Sequence, residues 1–100
     1  MILSNDYIKN VATLFFRDKP VKKVFLFGSY ARGEAKESSD VDLFIELDEN
    51  NKPNYFQLAG MWEEVQNSMK KNVDLVHKHR FLKQRFEDYI NKDKILLFEK

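Results

Sequence analysis

The stretch FGSYARGEAKESSDVDLFI, residues 27–45, decides the fold of this 100-residue chain. It opens at the end of an apolar segment, Val21 to Phe27, whose β-branched and aromatic residues predict a strand buried on both faces. Gly28 and Ser29 end that strand, and a turn or two of helix follows before the next glycine. Asp40 to Leu47 then alternates apolar and mostly polar residues, which predicts a second strand with one face in the core.

The flanking segments add helices and strands in alternation. An apolar repeat at helical spacing predicts a first helix, capped by Ser4 or Asn5, that ends before Pro20. A longer amphipathic helix should begin after Asn54. Its predicted buried stripe is Tyr55, Leu58, Trp62, Val65 and Met69, with Trp62 in the core rather than on a base-stacking platform. A strand over 72–76, a helix around Leu82 to Ile90 and a strand over 95–98 complete the order. This alternation predicts an α/β fold, a small mixed β-sheet with helices packed on it.

Composition restricts the class of protein. The length predicts one domain, residues 1–100, and 43% hydrophobic with 14% aromatic residues suffices for one core. There are no cysteines, so thiolate metal sites and disulfides are excluded. A net charge of +1 does not favour nucleic acid as a stable partner. No apolar run reaches bilayer length and no leader pattern is present, so we expect a cytoplasmic domain without membrane association.

Two carboxylates on one strand indicate a metal site. Asp40 and Asp42 should point to the same face, about 7 Å apart at the backbone. Like charges repel, and a hard cation such as Mg²⁺, which takes oxygen ligands, resolves that repulsion. The alternative is a solvated strand face that carries two acids by chance. His77 and His79, at i and i+2, do not form a standard metal pair.

The glycine-serine turn indicates a phosphate site. Gly28 allows close approach of the backbone, and Ser29 opens a helix whose amide N–H groups attract anions. Arg32, one turn further, can contact phosphate or pair with an acid. The alternative is an ordinary capped turn with a solvated arginine. Ser39 is expected to shape the turn into the second strand, with phosphate contact as a second possibility.

Together these residues carry a family resemblance. Gly28-Ser29, then ten residues, then Asp40-Val41-Asp42, resembles the signature of the DNA polymerase β-like nucleotidyltransferase superfamily. The local text is similar to its minimal branch, the MNT domains often encoded beside HEPN proteins. That family needs a third acid on a neighbouring strand, and Asp74 in Asn72-Val73-Asp74-Leu75-Val76 fits this requirement.

The resemblance implies a function. Asp40, Asp42 and Asp74 would be catalytic and hold two Mg²⁺ ions, while Gly28, Ser29 and Arg32 would bind the phosphates of ATP. In the minimal branch, relatives act as antitoxins that transfer AMP to a tyrosine of a partner HEPN toxin, so a hetero-complex is expected. Transfer to a small molecule or RNA, and a non-catalytic module that neutralises a partner by contact, remain open.

Overall fold

A computed structural model describes residues 1–100 of the chain. Four helices alternate with four strands: α1 (Asn5–Phe16), β1 (Val21–Phe27), α2 (Gly28–Arg32), β2 (Val41–Leu47), α3 (Tyr55–Met69), β3 (Val73–His77), α4 (Gln84–Asp93) and β4 (Ile95–Glu99). The predicted order is confirmed, and strand limits differ from the prediction by at most one residue. β2 begins at Val41, whose N–H donates to the carbonyl of Asn72, so Asp40 precedes the strand.

The sheet is mixed, with strand order β3-β2-β1-β4. β1 pairs antiparallel with both β2 and β4, whereas β2 and β3 run parallel. A parallel pair needs a crossover connection, and α3 supplies it. The predicted small mixed sheet with helices packed on it is therefore confirmed. β2 and β1 occupy the centre, and β3 is an edge strand.

The two faces of the sheet are covered unequally. α1 and α3 pack on one face and build the main core, which buries alternate residues of β1 and β2, including Val24, Leu26, Val41, Leu43 and Ile45. On the other face a smaller cluster joins Ile90 of α4 to Phe25, Phe27 and Phe44. Phe44, predicted on the polar side of β2, is buried there by α4. The remainder of this second face carries the acids.

Helix ends follow the predicted signals. The Ser4 hydroxyl accepts the N–H of Tyr7 and caps α1, one of the two caps that the sequence allows. Asn54 caps α3 within a capping box that it forms with Gln57. Gly33 ends α2 in the left-handed conformation, with φ of 75°. No helix is both long enough and apolar enough to cross a bilayer.

The predicted buried stripe of α3 is wrong at its aromatic positions. Met61, Val65 and Met69 are buried, whereas Tyr55 is 84% exposed and Trp62 is 48% exposed. Trp62 lies over the edge of the sheet instead, where its indole Nε1 donates to the carbonyl of Val73 at 2.6 Å. The indole N–H needs a partner, and the unpaired edge of β3 supplies one.

Candidate active site

Asp42 and Asp74 are brought together because their strands, the central β2 and the edge strand β3, pair in parallel. Asp42 of β2 is the register partner of Asp74 of β3. Both point away from the main core, since Val41, Leu43 and Val73 point into it. The prediction that Asp74 faces opposite to Val73 is confirmed, and the two carboxylates occupy the face that α4 leaves partly open.

Three carboxylates share one electrostatic environment. Burial is the main cause that raises the pKa of Asp42, from 3.8 to about 6, and the negative charges of Asp74 and Asp40 raise it further. Asp40 is exposed at the entrance to β2. The positive charge of Arg32 acts in the opposite direction and lowers the pKa of Asp42. Asp74, Asp40 and Arg32 therefore all lie within electrostatic range of Asp42.

The turn at Gly28 lies directly against the acid pair. Phe27, the last residue of β1, is the register partner of Asp42, so Gly28 follows immediately beside that carboxylate. Gly28 has φ of 74°, a conformation that side chains disfavour. A Cβ at this position would lie 3.0 Å from Cγ of Asp42 and would clash with its Oδ2. Only glycine fits between the start of α2 and the carboxylate.

Arg32 is held by residues that the sequence did not single out. Its Nε lies 2.8 Å from Glu34, and its Nη1 lies 3.2 Å from the Tyr89 hydroxyl and 3.7 Å from Asp93. The hydrogen bonds to Glu34 and Tyr89 raise the pKa of Arg32, so the guanidinium is always charged. Tyr89 and Asp93 are one turn apart on α4. That spacing is visible in the sequence, but the sequence does not show which face of the sheet α4 covers.

The two serines have different environments. Ser29 is half-buried at the start of α2, beside Gly28. The Ser39 hydroxyl accepts the backbone N–H of Lys36 at 2.8 Å, as expected of a residue that shapes the turn into β2. The structure thus groups Gly28, Ser29, Arg32, Asp42 and Asp74, with Asp40 at the rim. Ser39 is engaged in its own turn.

The acids fit a divalent cation bound together with a ligand. No group of three or more His, Asp or Glu side chains converges into a complete metal centre. Mg²⁺ typically binds one or two carboxylates and completes its shell with phosphate oxygens and water. Besides burial, repulsion from Asp74 and Asp40 raises the pKa of Asp42, and a bound cation relieves repulsion of this kind. The donor chemistry therefore fits Mg²⁺ bound together with phosphate.

The histidines lie at the other end of the sheet. His77 is the last residue of β3 and pairs with Ile45, far from Asp74. Burial, and then the charge of His79, lowers the pKa of His77. Their rings are 4.8 Å apart, without a third ligand. They are separate from the candidate active site.

This chain belongs to the polymerase β nucleotidyltransferase family, which it matches over residues 9–100. It is 45% identical over 58 residues to a candidate protein adenylyltransferase of Methanocaldococcus jannaschii. That match covers 58% of this chain and 58% of the relative, so the chain spans less than two thirds of the relative's length. The family assignment is confirmed by residues well beyond the signature stretch.

Solved structures share the fold. A chain in a crystal structure of a toxin–antitoxin with AMP-PNP superposes with a TM-score of 0.72 and 17% identity, over 98% of this chain and 75% of that one. A chain in the complex of tri-AMPylated Shewanella oneidensis HEPN toxin with MNT antitoxin gives 0.68 and 17%, over 92% and 70%. At these identities the likeness establishes the polymerase β-like nucleotidyltransferase fold.

Proposed function

We propose that this protein is a Mg²⁺-dependent nucleotidyltransferase that transfers AMP from ATP to a hydroxyl group of a partner protein. One observation carries the proposal. Asp42 is the register partner of Asp74 on one side and lies against the Gly28 turn on the other. Two neighbouring carboxylates can bind a metal ion, and a glycine turn beside them lets the backbone approach phosphate closely. This combination is suited to a metal-bound triphosphate.

Each residue then has a role. Asp40, Asp42 and Asp74 would hold two Mg²⁺ ions, and Gly28, Ser29 and Arg32 would bind the β- and γ-phosphates. Bound Mg²⁺ supplies Lewis-acid polarisation of the phosphoryl oxygens and lowers the pKa of the acceptor hydroxyl. The acceptor oxygen bonds to the α-phosphorus, the bond to the bridging oxygen breaks, and pyrophosphate leaves. Asp74, the most open of the paired acids, takes up the hydroxyl proton.

The proposed acceptor is a tyrosine of a HEPN toxin, and the protein acts as its antitoxin. Support comes from the M. jannaschii relative, a candidate protein adenylyltransferase, and from the complex of an AMPylated HEPN toxin with an MNT antitoxin. The position of Asp74 on an edge strand is consistent with a large acceptor, because no further strand lies outside it.

The test is incubation of the purified protein with Mg²⁺, host lysate and ATP labelled at the α-phosphate. A labelled protein band with wild type, absent with Asp42→Asn, supports transfer and allows the acceptor to be identified by mass spectrometry. A labelled RNA or small molecule retains the enzyme but rejects the antitoxin role. No label with any nucleotide rejects the proposal.

A contact-only module is the rival, and the electrostatics disfavour it. Burial, together with the negative charges of Asp74 and Asp40, raises the pKa of Asp42, which means that the ionised form destabilises the fold. A module that only binds a partner gains nothing from this arrangement. Neutralisation of the toxin that persists in Asp42→Asn would favour the rival.

A further inference from the structure

A cavity opens at the end of the sheet opposite to the acids. It has a volume of about 840 Å³ and is lined by the end of β2, the start of α3 and the segment that follows β3. Leu47, on its wall, is five residues along β2 from Asp42, which corresponds to about 17 Å. The cavity is therefore separate from the candidate active site.

Cationic side chains dominate the charge of this cavity. Lys52, Lys78 and Arg80 line it, and Glu49 is the only acid among its lining residues. Lys78 also lies 3.4 Å from Glu87, which leaves Lys52 and Arg80 as the cations without such an ion pair. The chain as a whole has a charge of only +1, so this local excess favours an anionic ligand.

Two aromatic rings on the rim of the cavity are largely exposed to solvent. Tyr55 is 84% exposed and Phe81 is 75% exposed, and both line the cavity. The guanidinium of Arg80 lies 4.8 Å from the centre of the Phe81 ring, so charge and ring surface occur together. Exposed rings beside cations are the elements with which proteins bind stacked bases and their phosphates.

We infer that this cavity binds a nucleotide unit, a phosphate with an attached base, at a site distinct from the catalytic one. The base lies against Tyr55 or Phe81, and the phosphate contacts Lys52 and Arg80. The unit comes either from a free mononucleotide or from a single-stranded RNA. This inference goes beyond the proposed transferase activity and does not depend on it.

The test uses the full chain in EDTA, which disfavours metal-dependent binding of phosphate at the acids. UMP and a fluorescein-labelled oligouridylate of about six nucleotides are the two probes. Amide shifts in NMR spectra should change at residues 47–58 and 77–81 rather than at 28–42. Shifts with both probes identify a mononucleotide site, and shifts with the oligonucleotide alone identify an RNA site.

Matched variants distinguish specific binding in the cavity from nonspecific attraction to positive charge. Arg80→Glu and Tyr55→Ala should each weaken binding about tenfold. Arg85→Glu and Phe56→Ala change exposed residues of the same types outside the cavity lining and should leave the affinity unchanged. The inference would be overturned if the cavity variants and their controls lost the same affinity, or if neither probe shifted any amide signal. It would also be overturned if polyglutamate competed as well as the nucleotide probes.

Discussion

Asp42 and Asp74 are direct partners across the parallel strands β2 and β3, and no other residue separates their positions in the sheet. Burial raises the pKa of Asp42 to about 6, and the negative charge of Asp74 contributes to the same shift, so the ionised pair is unfavourable without a cation. Stability, metal binding and activity should therefore change together when either acid is altered.

Replacing Asp42 by asparagine should stabilise the metal-free protein while abolishing transfer. Because the pKa of Asp42 is raised from 3.8 to about 6, the folded state binds more protons than the unfolded state in that window. Stability consequently falls as the pH rises through it. After solvent screening, the ionised group costs on the order of 1 kcal/mol near neutral pH, so the variant should melt about 5 °C higher.

Thermal melts at neutral pH and at about pH 4 check this prediction. The gain should be much smaller at the lower pH, where the wild-type carboxyl is protonated in the folded state and only partly ionised in the unfolded state. Asp18→Asn, at an exposed position in a loop, is the control and should change little. A variant that melts at or below the wild-type temperature near neutral pH would contradict the electrostatic argument.

Gly28→Ala should remove activity and destabilise the fold, because the new Cβ meets the Asp42 carboxylate. Gly33→Ala is a matched control: its φ of 75° is nearly the same, but its Cβ would meet no atom within 4 Å. Backbone strain of about 1 kcal/mol should appear in both variants, whereas loss of transfer should appear only at Gly28. Urea unfolding and AMP-transfer assays separate the two effects. Equal activity in both variants would show that the close contact is unimportant.

Arg32→Ala should raise the KM for ATP about tenfold, because a charged donor to phosphate is lost. Arg32→Lys should recover little, since Lys cannot reproduce a planar fork that contacts Glu34, Tyr89 and Asp93. Steady-state kinetics with each variant measure KM and kcat separately. An unchanged KM would mean that Arg32 serves only to dock α4.

Trp62→Phe should destabilise the protein by about 1 kcal/mol, because the indole hydrogen bond to Val73 is lost while most of the ring remains. Phe56→Ala, at a side chain that is 91% exposed, is the control and should have almost no effect. Chemical denaturation measures both. Hydrogen exchange at β3 should increase in Trp62→Phe, and protection equal to wild type would argue against a role in holding the edge.

Much of the fold followed from local patterns. The strand before Gly28 and the caps at Ser4 and Asn54 depend on nearby residues, so the sequence displays them. The site residues could also be predicted from local patterns. Gly28 follows the end of a strand, and Asp42 and Asp74 lie on strands in which apolar and polar residues alternate. The sequence does not show the register of the strands, and it is this register that brings the three residues together.

The face of α3 could not be predicted in the same way. Its apolar residues cover a broad face of the helix, so the periodicity allows a stripe through Trp62 as well as one through Met61. The choice depends on how the helix lies across the sheet, and on the edge carbonyl of Val73 that attracts the indole. Similarly, the contacts of Arg32 with Tyr89 and Asp93 depend on where α4 packs.

The edge position of β3 has a consequence for water. Asp74 is exposed on a strand with no neighbour outside it, so solvent reaches the acids as readily as an acceptor does. In the proposed reaction water is then a competing nucleophile, and ATP without an acceptor should be hydrolysed slowly to AMP and pyrophosphate. Selectivity for the correct hydroxyl would arise only when the acceptor's own surface covers the edge and excludes solvent, which makes fidelity a property of the assembled pair.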